Sequence, residues 1–145
     1  MSGITDPSEQ YFKDGGWSWN GSIWIKGGLP FEYAGNVLGR VIDDAPAAGM
    51  NYVVGAAVPA DEIWVITTMH VYDATSALDR VLLAILRGGA GYNVAVTGAL
   101  AAGYGYSWVG NAYLEEDDAV RATLYGVVAY DYLRFGYTGY KMRLT

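Results

Sequence analysis

Consecutive carboxylates, Glu115-Glu116-Asp117-Asp118, are the densest group of side chains in this sequence that could do chemistry. Their oxygens suit calcium, but calcium-binding loops alternate acidic residues around a central glycine, and that spacing is missing here. Paired carboxylates could also serve a glycosidase, although no feature of the sequence selects an acid and a nucleophile at a fixed separation. The run is therefore interpreted as a solvated turn, and we predict no metal site.

Other residue types that support catalysis are scarce. His70 is the single histidine, and because it lies among alternating apolar residues we interpret it as a hydrogen-bonded or half-exposed sheet residue. The chain has no cysteine, which excludes disulfides, thiolate nucleophiles and cysteine-bound zinc. Asp43-Asp44 has no ligand spacing, the glycines at 103–105 lack the lysine of a phosphate-binding loop, and no Gly-x-Ser-x-Gly motif is present. We predict a protein that is not an enzyme and has no cofactor.

Tryptophan is concentrated near the N-terminus, where Trp17, Trp19 and Trp24 surround Asn20-Gly21. Asn-Gly between alternating aromatic residues favours a type I′ turn, so residues 17–25 are predicted to form an aromatic hairpin. A two-stranded hairpin is marginally stable alone, and its rings must therefore pack on protein or on a ligand. We predict that residues 1–35 form an arm and that its anchors on another subunit or a partner are Trp17, Trp19, Ile23 and Trp24. The alternative is that the tryptophan rings stack on sugars.

Residues 36–145 consist of short, alternating apolar runs that follow acidic turns. Alternation with a period of two places one face of each strand in a core, and tight polar turns reverse the chain. This pattern predicts an all-β domain, an antiparallel β-sandwich of the jelly-roll kind. The predicted strands are 36–42, 52–58, 62–72, 81–86, 92–96, 106–109, 119–129, 132–136 and 139–144, with 62–72 in a central position.

Composition limits the partners. Hydrophobic residues make up 52% of the chain and charged residues 17%, yet no apolar run reaches the roughly 18 residues of a membrane span. The thirteen tyrosines suit surfaces that are half buried against another subunit. The net charge of −6 argues against binding a phosphate backbone. We predict a homo-oligomer, a trimer, that binds neither nucleic acid nor membrane.

Three segments resemble small structural proteins of tailed bacteriophages: DGGWSWNG at 14–21, VPADEIWV at 58–65 and GYKMRL at 139–144. The likeness is to the capsid decoration, or cement, proteins of phages of thermophilic bacteria. It implies a trimeric, non-enzymatic β-sandwich knob that is made in the host cytoplasm, binds the major capsid protein on the outer surface of the virion and stabilises the expanded shell. It implies no catalytic residues. The alternative is a phage tail or fibre module that binds host-surface carbohydrate through the Trp-rich hairpin.

Overall fold

The computed structural model describes residues 31–144 in full and the backbone of two short strands before them. These are β1 (Trp17–Trp19) and β2 (Trp24–Lys26), which pair antiparallel with Trp19 opposite Trp24. An antiparallel pair therefore occurs where the hairpin was predicted. Four residues lie between the two strands, so the connection is longer than the two-residue Asn-Gly turn that the sequence favoured.

The predicted arm anchors cannot be placed. The side chains of Trp17, Trp19, Ile23 and Trp24 lie outside the described residues. Their role as anchors stays a prediction, as does the division of the chain into an arm and a sandwich.

Eight further strands form two antiparallel sheets of four strands each, which confirms the predicted β-sandwich. In the first sheet the order is β3-β10-β5-β8, and in the second it is β4-β9-β6-β7. No helix occurs among the described residues, so this part of the chain contains none that could cross a membrane. The strands are β3 (Phe31–Asp43), β4 (Gly49–Val54), β5 (Glu62–Asp73), β6 (Arg80–Arg87), β7 (Ala90–Thr97), β8 (Gly105–Leu114), β9 (Ala119–Val127) and β10 (Leu133–Leu144).

The core lies between the two sheets and is built from alternate residues of the central strands. In the second sheet Val120, Ala122 and Leu124 of β9 point inward, and in the first sheet Phe135 and Tyr137 of β10 do the same. All five are buried. Burying a side chain as large as Phe135 contributes on the order of 1.5–3 kcal/mol, so the interleaved residues of both sheets hold the layers together. β5 lies between β10 and β8, which confirms its predicted central position.

The C-terminal segment is one strand, and the prediction of two strands at 132–136 and 139–144 is wrong. Gly139 does not end a strand; it lets two backbones approach closely. A Cβ built at Gly139 would collide with the carbonyl oxygen of Val65 on β5. The register between β10 and β5 slips between Thr138 and Gly139, as at a β-bulge, and the strand continues beyond it.

β3 begins at Phe31, earlier than the predicted start at 36. Its first residues pair with the end of β10, with Phe31 opposite Leu144. Gly35, which the sequence suggested was part of a flexible connection, is a strand residue opposite Lys141 with a φ of 132°. The register slips directly after Lys141, so this glycine marks an irregularity within the strand rather than its boundary.

The three acidic turns that the sequence indicated are present, and each contains a non-glycine residue in the left-handed region. These residues are Asp61, Asp117 and Tyr130, with φ of 62°, 68° and 66°. Asp tolerates this conformation because its short polar side chain bonds locally, whereas Tyr does so rarely. Within the described ranges no other non-glycine residue has a positive φ.

Candidate functional site: exposed sheet faces and polar turns

The outer face of the first sheet is formed by side chains that lie side by side on its four strands. Exposed apolar residues dominate its outer strands: Leu38 on β3 is 81% exposed and Val109 on β8 is 79% exposed. The strand register aligns these residues in rows, because directly opposed residues of antiparallel strands project on the same side. From β3 across to β8, the rows are Leu38-Thr138-Thr68-Val109, Arg40-Gly136-His70-Ser107 and Ile42-Arg134-Tyr72-Gly105.

A shallow depression of about 430 Å³ lies in the middle of this face, and we call it the basic depression. Gly136 lies directly between Arg40 and His70 in the second row, and because it has no side chain the floor is low. Arg134 and Tyr72 lie beside it in the third row. No carboxylate is among the described residues that line the depression.

Arg40 and Arg134 differ from the other described cations. Neither forms an ion pair with a described residue, and neither guanidinium stacks on a described aromatic ring. The others are all engaged: Arg87, Lys141 and Arg143 form ion pairs, Arg80 lies over Tyr125, and Arg121 lies over Tyr52. The basic depression is therefore a local excess of positive charge on a chain whose net charge is −6.

His70 is held in place at the edge of the basic depression. Its Nδ1 lies 2.6 Å from Ser107 Oγ, and its ring centroid lies 5.7 Å from that of Tyr72 with a tilt of 48°. The interpretation of His70 as a hydrogen-bonded sheet residue is confirmed. A serine beside a histidine also occurs in hydrolases, but there a third group orients the imidazole, and no described carboxylate hydrogen bonds to His70. The neighbouring Ser107 was not predicted because β5 and β8 are far apart in the sequence.

The outer face of the second sheet is also apolar. Tyr52 and Val96, on the two edge strands, are 53% and 54% exposed. They belong to one row with Thr123 and Leu82, and the guanidinium of Arg121 lies 4.4 Å from the centroid of the Tyr52 ring. Large contiguous apolar patches are uncommon on monomeric proteins and mark interaction surfaces. Both outer faces are therefore candidates for contacts with other protein.

The acidic run at 115–118 forms the turn between β8 and β9, and we call residues 115–117 the acidic tip. The side chains of Glu115, Glu116 and Asp117 are exposed, as predicted. The prediction that the whole run is solvated is wrong for Asp118, which is 3% exposed. Asp118 Oδ2 lies 2.6 Å from Arg87 Nη2 and accepts a hydrogen bond of 2.8 Å from the Glu115 N–H. Asp118 thus fixes the shape of the turn.

The ionisation of Asp118 follows from these contacts. The hydrogen bonds from Arg87 hold the pKa of the Asp118 carboxyl below its ordinary value, and the Glu115 N–H and the positive charge of Arg87 act in the same direction. Burial opposes this effect but is the weaker influence. The carboxylate is therefore charged at neutral pH and bound to a charged partner.

A second polar cluster joins two loops at the other end of the sandwich. Asp73 and Asp131 are both buried. Asp73 Oδ1 accepts hydrogen bonds from the N–H groups of Thr75 and Ser76, at 2.8 and 3.0 Å. Asp131 accepts hydrogen bonds from the Ser76 hydroxyl at 2.9 Å and from the Val128 N–H at 3.0 Å. The cluster therefore connects the loop after β5 to the turn before β10.

The pKa values of the two aspartates shift in opposite directions. Burial raises the pKa of Asp73, and its contact with Asp131 raises it further. Burial also acts to raise the pKa of Asp131, but hydrogen bonds from Asp73, Val128 and Ser76 outweigh it and lower the pKa. Asp73 is therefore the aspartate that favours its protonated form, and its Oδ2 is buried without a hydrogen-bond partner among the described residues. Because both carboxyls are sealed from solvent, the pair has no access to a substrate.

Metal chemistry has no support in the described part of the chain, which contains no group of three or more His, Asp or Glu that could hold an ion. The described residues offer two outer sheet faces with exposed apolar side chains, a basic depression and an exposed acidic tip.

No family model matches this chain, and no curated protein sequence matches it. Two of the solved structures that match this chain are as follows. One is a chain from Bacillus endospore appendages described as disulfide-linked pili, with 19% identity, a TM-score of 0.45 and coverage of 81% of this chain and 95% of that one. The other is from infectious bursal disease virus, strain Gx, with 8% identity, a TM-score of 0.34 and coverage of 88% and 45%. The present chain has no cysteine with which to form a disulfide.

Proposed function

We propose that this protein is a non-enzymatic structural protein of a virion, a capsid decoration protein of a phage of thermophilic bacteria. In this proposal three copies form a knob on the outer surface of the capsid and bind the major capsid protein of the expanded shell. The observation that carries the proposal is that both outer faces of the sandwich expose large apolar side chains, among them Leu38, Val109 and Tyr52. A decoration protein must bury such surface against its own copies and against the shell.

The absence of catalysis is part of the proposal. Three groups of carboxylates have shifted pKa values: Asp73 with Asp131, Asp118 with Arg87, and Glu62 with Trp64 and Arg143. All are buried; the first two are bonded to backbone N–H groups of their own turns, and Glu62 accepts hydrogen bonds from the Trp64 and Arg143 side chains. Shifted pKa values often mark active sites, but structural networks shift them as well, and these contacts are of the structural kind.

The N-terminal arm, predicted as residues 1–35, is proposed to fasten the knob through the part that precedes β3 at Phe31. Its anchors are Trp17, Trp19, Ile23 and Trp24, which bind a neighbouring subunit or the shell. Many copies on one shell raise the effective concentration of each contact, so individually weak anchors suffice for stable attachment.

A binding experiment tests the proposal. Purified expanded shells are incubated with the full chain and sedimented, and the same protein is run through gels that contain polysaccharide from the host surface. We expect the protein to sediment with shells and to migrate without retardation by polysaccharide. Retardation by polysaccharide with no binding to shells would instead support the alternative, a tail or fibre module that binds carbohydrate through the Trp-rich hairpin. Light scattering of the free protein should give three times the chain mass of 15.6 kDa.

A further inference from the structure

We propose that the basic depression of one copy binds the acidic tip of a second copy, and that this contact joins successive subunits of the oligomer. The inference rests on the proposed assembly of identical copies and names the groups that hold them together. The receiving groups are Arg40 and Arg134, and the bound groups are the carboxylates of the acidic tip.

The receiving side has the chemistry for carboxylates. Arg40 and Arg134 are charged at all ordinary pH values and engage no described residue. A guanidinium presents its N–H donors as a planar fork that matches the two oxygens of a carboxylate. Gly136 leaves open space beside Arg40, and no described acidic residue competes for either arginine within the depression. Exposed Leu38 and Ile42 flank Arg40 on β3 and would exclude water around a bound partner.

The acidic tip is a rigid projection. Asp118 accepts a hydrogen bond from the Glu115 N–H and pairs with Arg87, so the backbone of the turn is fixed before any partner arrives. Glu115, Glu116 and Asp117 are exposed at its tip. A preformed turn loses little conformational entropy on binding.

The two sites of one chain cannot meet. The acidic tip follows Leu114, which pairs with Trp64 at the start of β5, whereas the basic depression surrounds His70 and Tyr72 near the end of that strand. Six to eight strand residues at about 3.3 Å each separate the two positions by roughly 20 Å or more along a stiff sheet. The acidic tip can therefore reach a basic depression only on another copy.

The contact is compatible with the proposed trimer. In a three-fold ring each subunit presents one patch to one neighbour and receives a different patch from the other, whereas a two-fold dimer would make the same contact twice between two subunits. The basic depression and the acidic tip are two different, complementary patches at separate places on one chain. Repeating the contact three times would close a ring. Each subunit would place its acidic tip on one neighbour and bind the acidic tip of the other neighbour in its basic depression.

Complementary charge reversal of the full chain tests this contact. One variant carries Arg40→Glu and Arg134→Glu, and the other carries Glu115→Lys and Glu116→Lys. The measurement is the mass of each protein by light scattering or sedimentation over a range of concentrations, together with thermal unfolding to verify the fold. We expect the apparent dissociation constant of the oligomer to be at least about tenfold higher for each variant alone than for the wild type. A single chain that carries all four substitutions has opposite charges at every contact of the ring and should recover assemblies.

Single substitutions give the comparison at matched net charge. Arg40→Glu alone is compared with Arg80→Glu on the opposite sheet, and Glu116→Lys alone is compared with Asp44→Lys in the loop after β3. Both controls should assemble within about twofold of the wild type. If the Glu115→Lys and Glu116→Lys double variant fails to fold, Glu116→Lys alone replaces it, since that side chain is exposed and bonds to no described residue.

The outcomes separate the two proposals. If the wild type assembles and the charge-reversed variants assemble equally well, the contact between acidic tip and basic depression is wrong while the proposed oligomer stands. A four-substitution chain that is folded yet fails to assemble, although both double variants are dissociated, also overturns the contact. A wild type that stays monomeric at every concentration overturns both proposals.

Discussion

The hydroxyl of Tyr137, on the first sheet, accepts a hydrogen bond of 2.9 Å from the backbone N–H of Ala56, which follows β4 of the second sheet. The Tyr137 ring occupies space that two glycines leave free: a Cβ at Gly55 would lie 2.7 Å from Tyr137 Cε1, and a Cβ at Gly39 would overlap the ring. One buried aromatic side chain thus crosses the core and bonds directly to the opposite layer.

Replacing Tyr137 with Phe should therefore destabilise the sandwich without changing its fold. The substitution keeps the ring but removes the part-buried hydrogen bond from the Ala56 N–H, and such a bond contributes about 0.5–1.5 kcal/mol. Urea unfolding followed by tryptophan fluorescence measures the change. Tyr140→Phe, on the half-exposed residue three positions later, is the control and should change the free energy of unfolding by less than about 0.5 kcal/mol. Equal effects of the two substitutions would contradict this role of Tyr137.

Asp118→Asn should lower stability at neutral pH, because the amide keeps the shape of the side chain but loses the charged hydrogen bonds to Arg87. Hydrogen bonds to charged groups contribute about 1.5–3 kcal/mol each when partly buried. The folded-state pKa of Asp118 is lowered, so its contribution is present above the unfolded-state pKa and is lost as the pH falls through the folded-state pKa. The difference between wild type and variant should therefore shrink on acidification.

The neighbouring residue supplies the control for that experiment. Asp117 is exposed and has a φ of 68°, a conformation that Asn also adopts readily. Asp117→Asn should leave the free energy of unfolding within about 0.5 kcal/mol of the wild type at every pH. A loss of stability at Asp117 as large as that at Asp118 would mean that the turn depends on net charge rather than on the Arg87 contact.

Asp73→Asn should behave in the opposite way, because the pKa of Asp73 is raised. A group with a raised folded-state pKa favours its protonated form. The stability that the wild-type residue contributes is therefore lost as the pH rises through that pKa. The amide mimics the protonated acid: its oxygen can accept from Thr75 and Ser76, and its NH₂ can donate to Asp131. The variant should be at least as stable as the wild type at neutral pH, with the advantage disappearing towards acid pH in a denaturation series.

Asp131→Asn tests which of the two aspartates, Asp73 or Asp131, is protonated in the folded protein. The pKa of Asp131 is lowered, so the folded protein uses its charged form to accept from Ser76 and Val128. This variant should be less stable than the wild type at neutral pH. If Asp73→Asn were the more damaging of the two substitutions, the proton would lie on Asp131.

Deleting residues 1–28 should leave a folded sandwich that no longer attaches to shells. All strands of the two sheets lie within residues 31–144, so the core keeps its side chains. Burial of an aromatic anchor contributes on the order of 1.5–3 kcal/mol, and loss of several anchors in every copy removes attachment. Circular dichroism and cosedimentation with shells provide the two measurements. A truncated protein that protects shells as well as the intact chain would show that the arm is not the fastening element.

The sequence predicted the architecture because its signals are local. Alternation along 62–72 and the acidic turns at Asp61, Asp117 and Tyr130-Asp131 depend on residues that are neighbours in the chain. The predicted break between strands 132–136 and 139–144 is wrong at the glycine that begins the second, because close approach of two backbones and a chain reversal both select glycine. Only the identity of the strand opposite, β5, distinguishes the two cases.

The candidate interaction surfaces were beyond sequence reasoning for the same reason. Arg40, His70 and Arg134 come from three strands, and β10 brings them together by lying between β3 and β5. Asp118 was assigned to solvent because acidic residues at turns are usually exposed. Its burial depends on Arg87, which extends from the end of β6 to reach it.

The last of the described strands to be synthesised, β10, lies inside the first sheet. β10 pairs with β3 on one side and with β5 on the other, and β3 has no other neighbour in its sheet. Until residues 133–144 emerge, the backbone donors and acceptors of β3 stay open, and open strand edges pair readily with other chains. Nascent chains are therefore most prone to aggregate between the synthesis of β3 and the arrival of β10, and closure of the sandwich must follow translation of the final strand. Such long-range pairing is slow, on the scale of milliseconds to seconds for β-sandwiches.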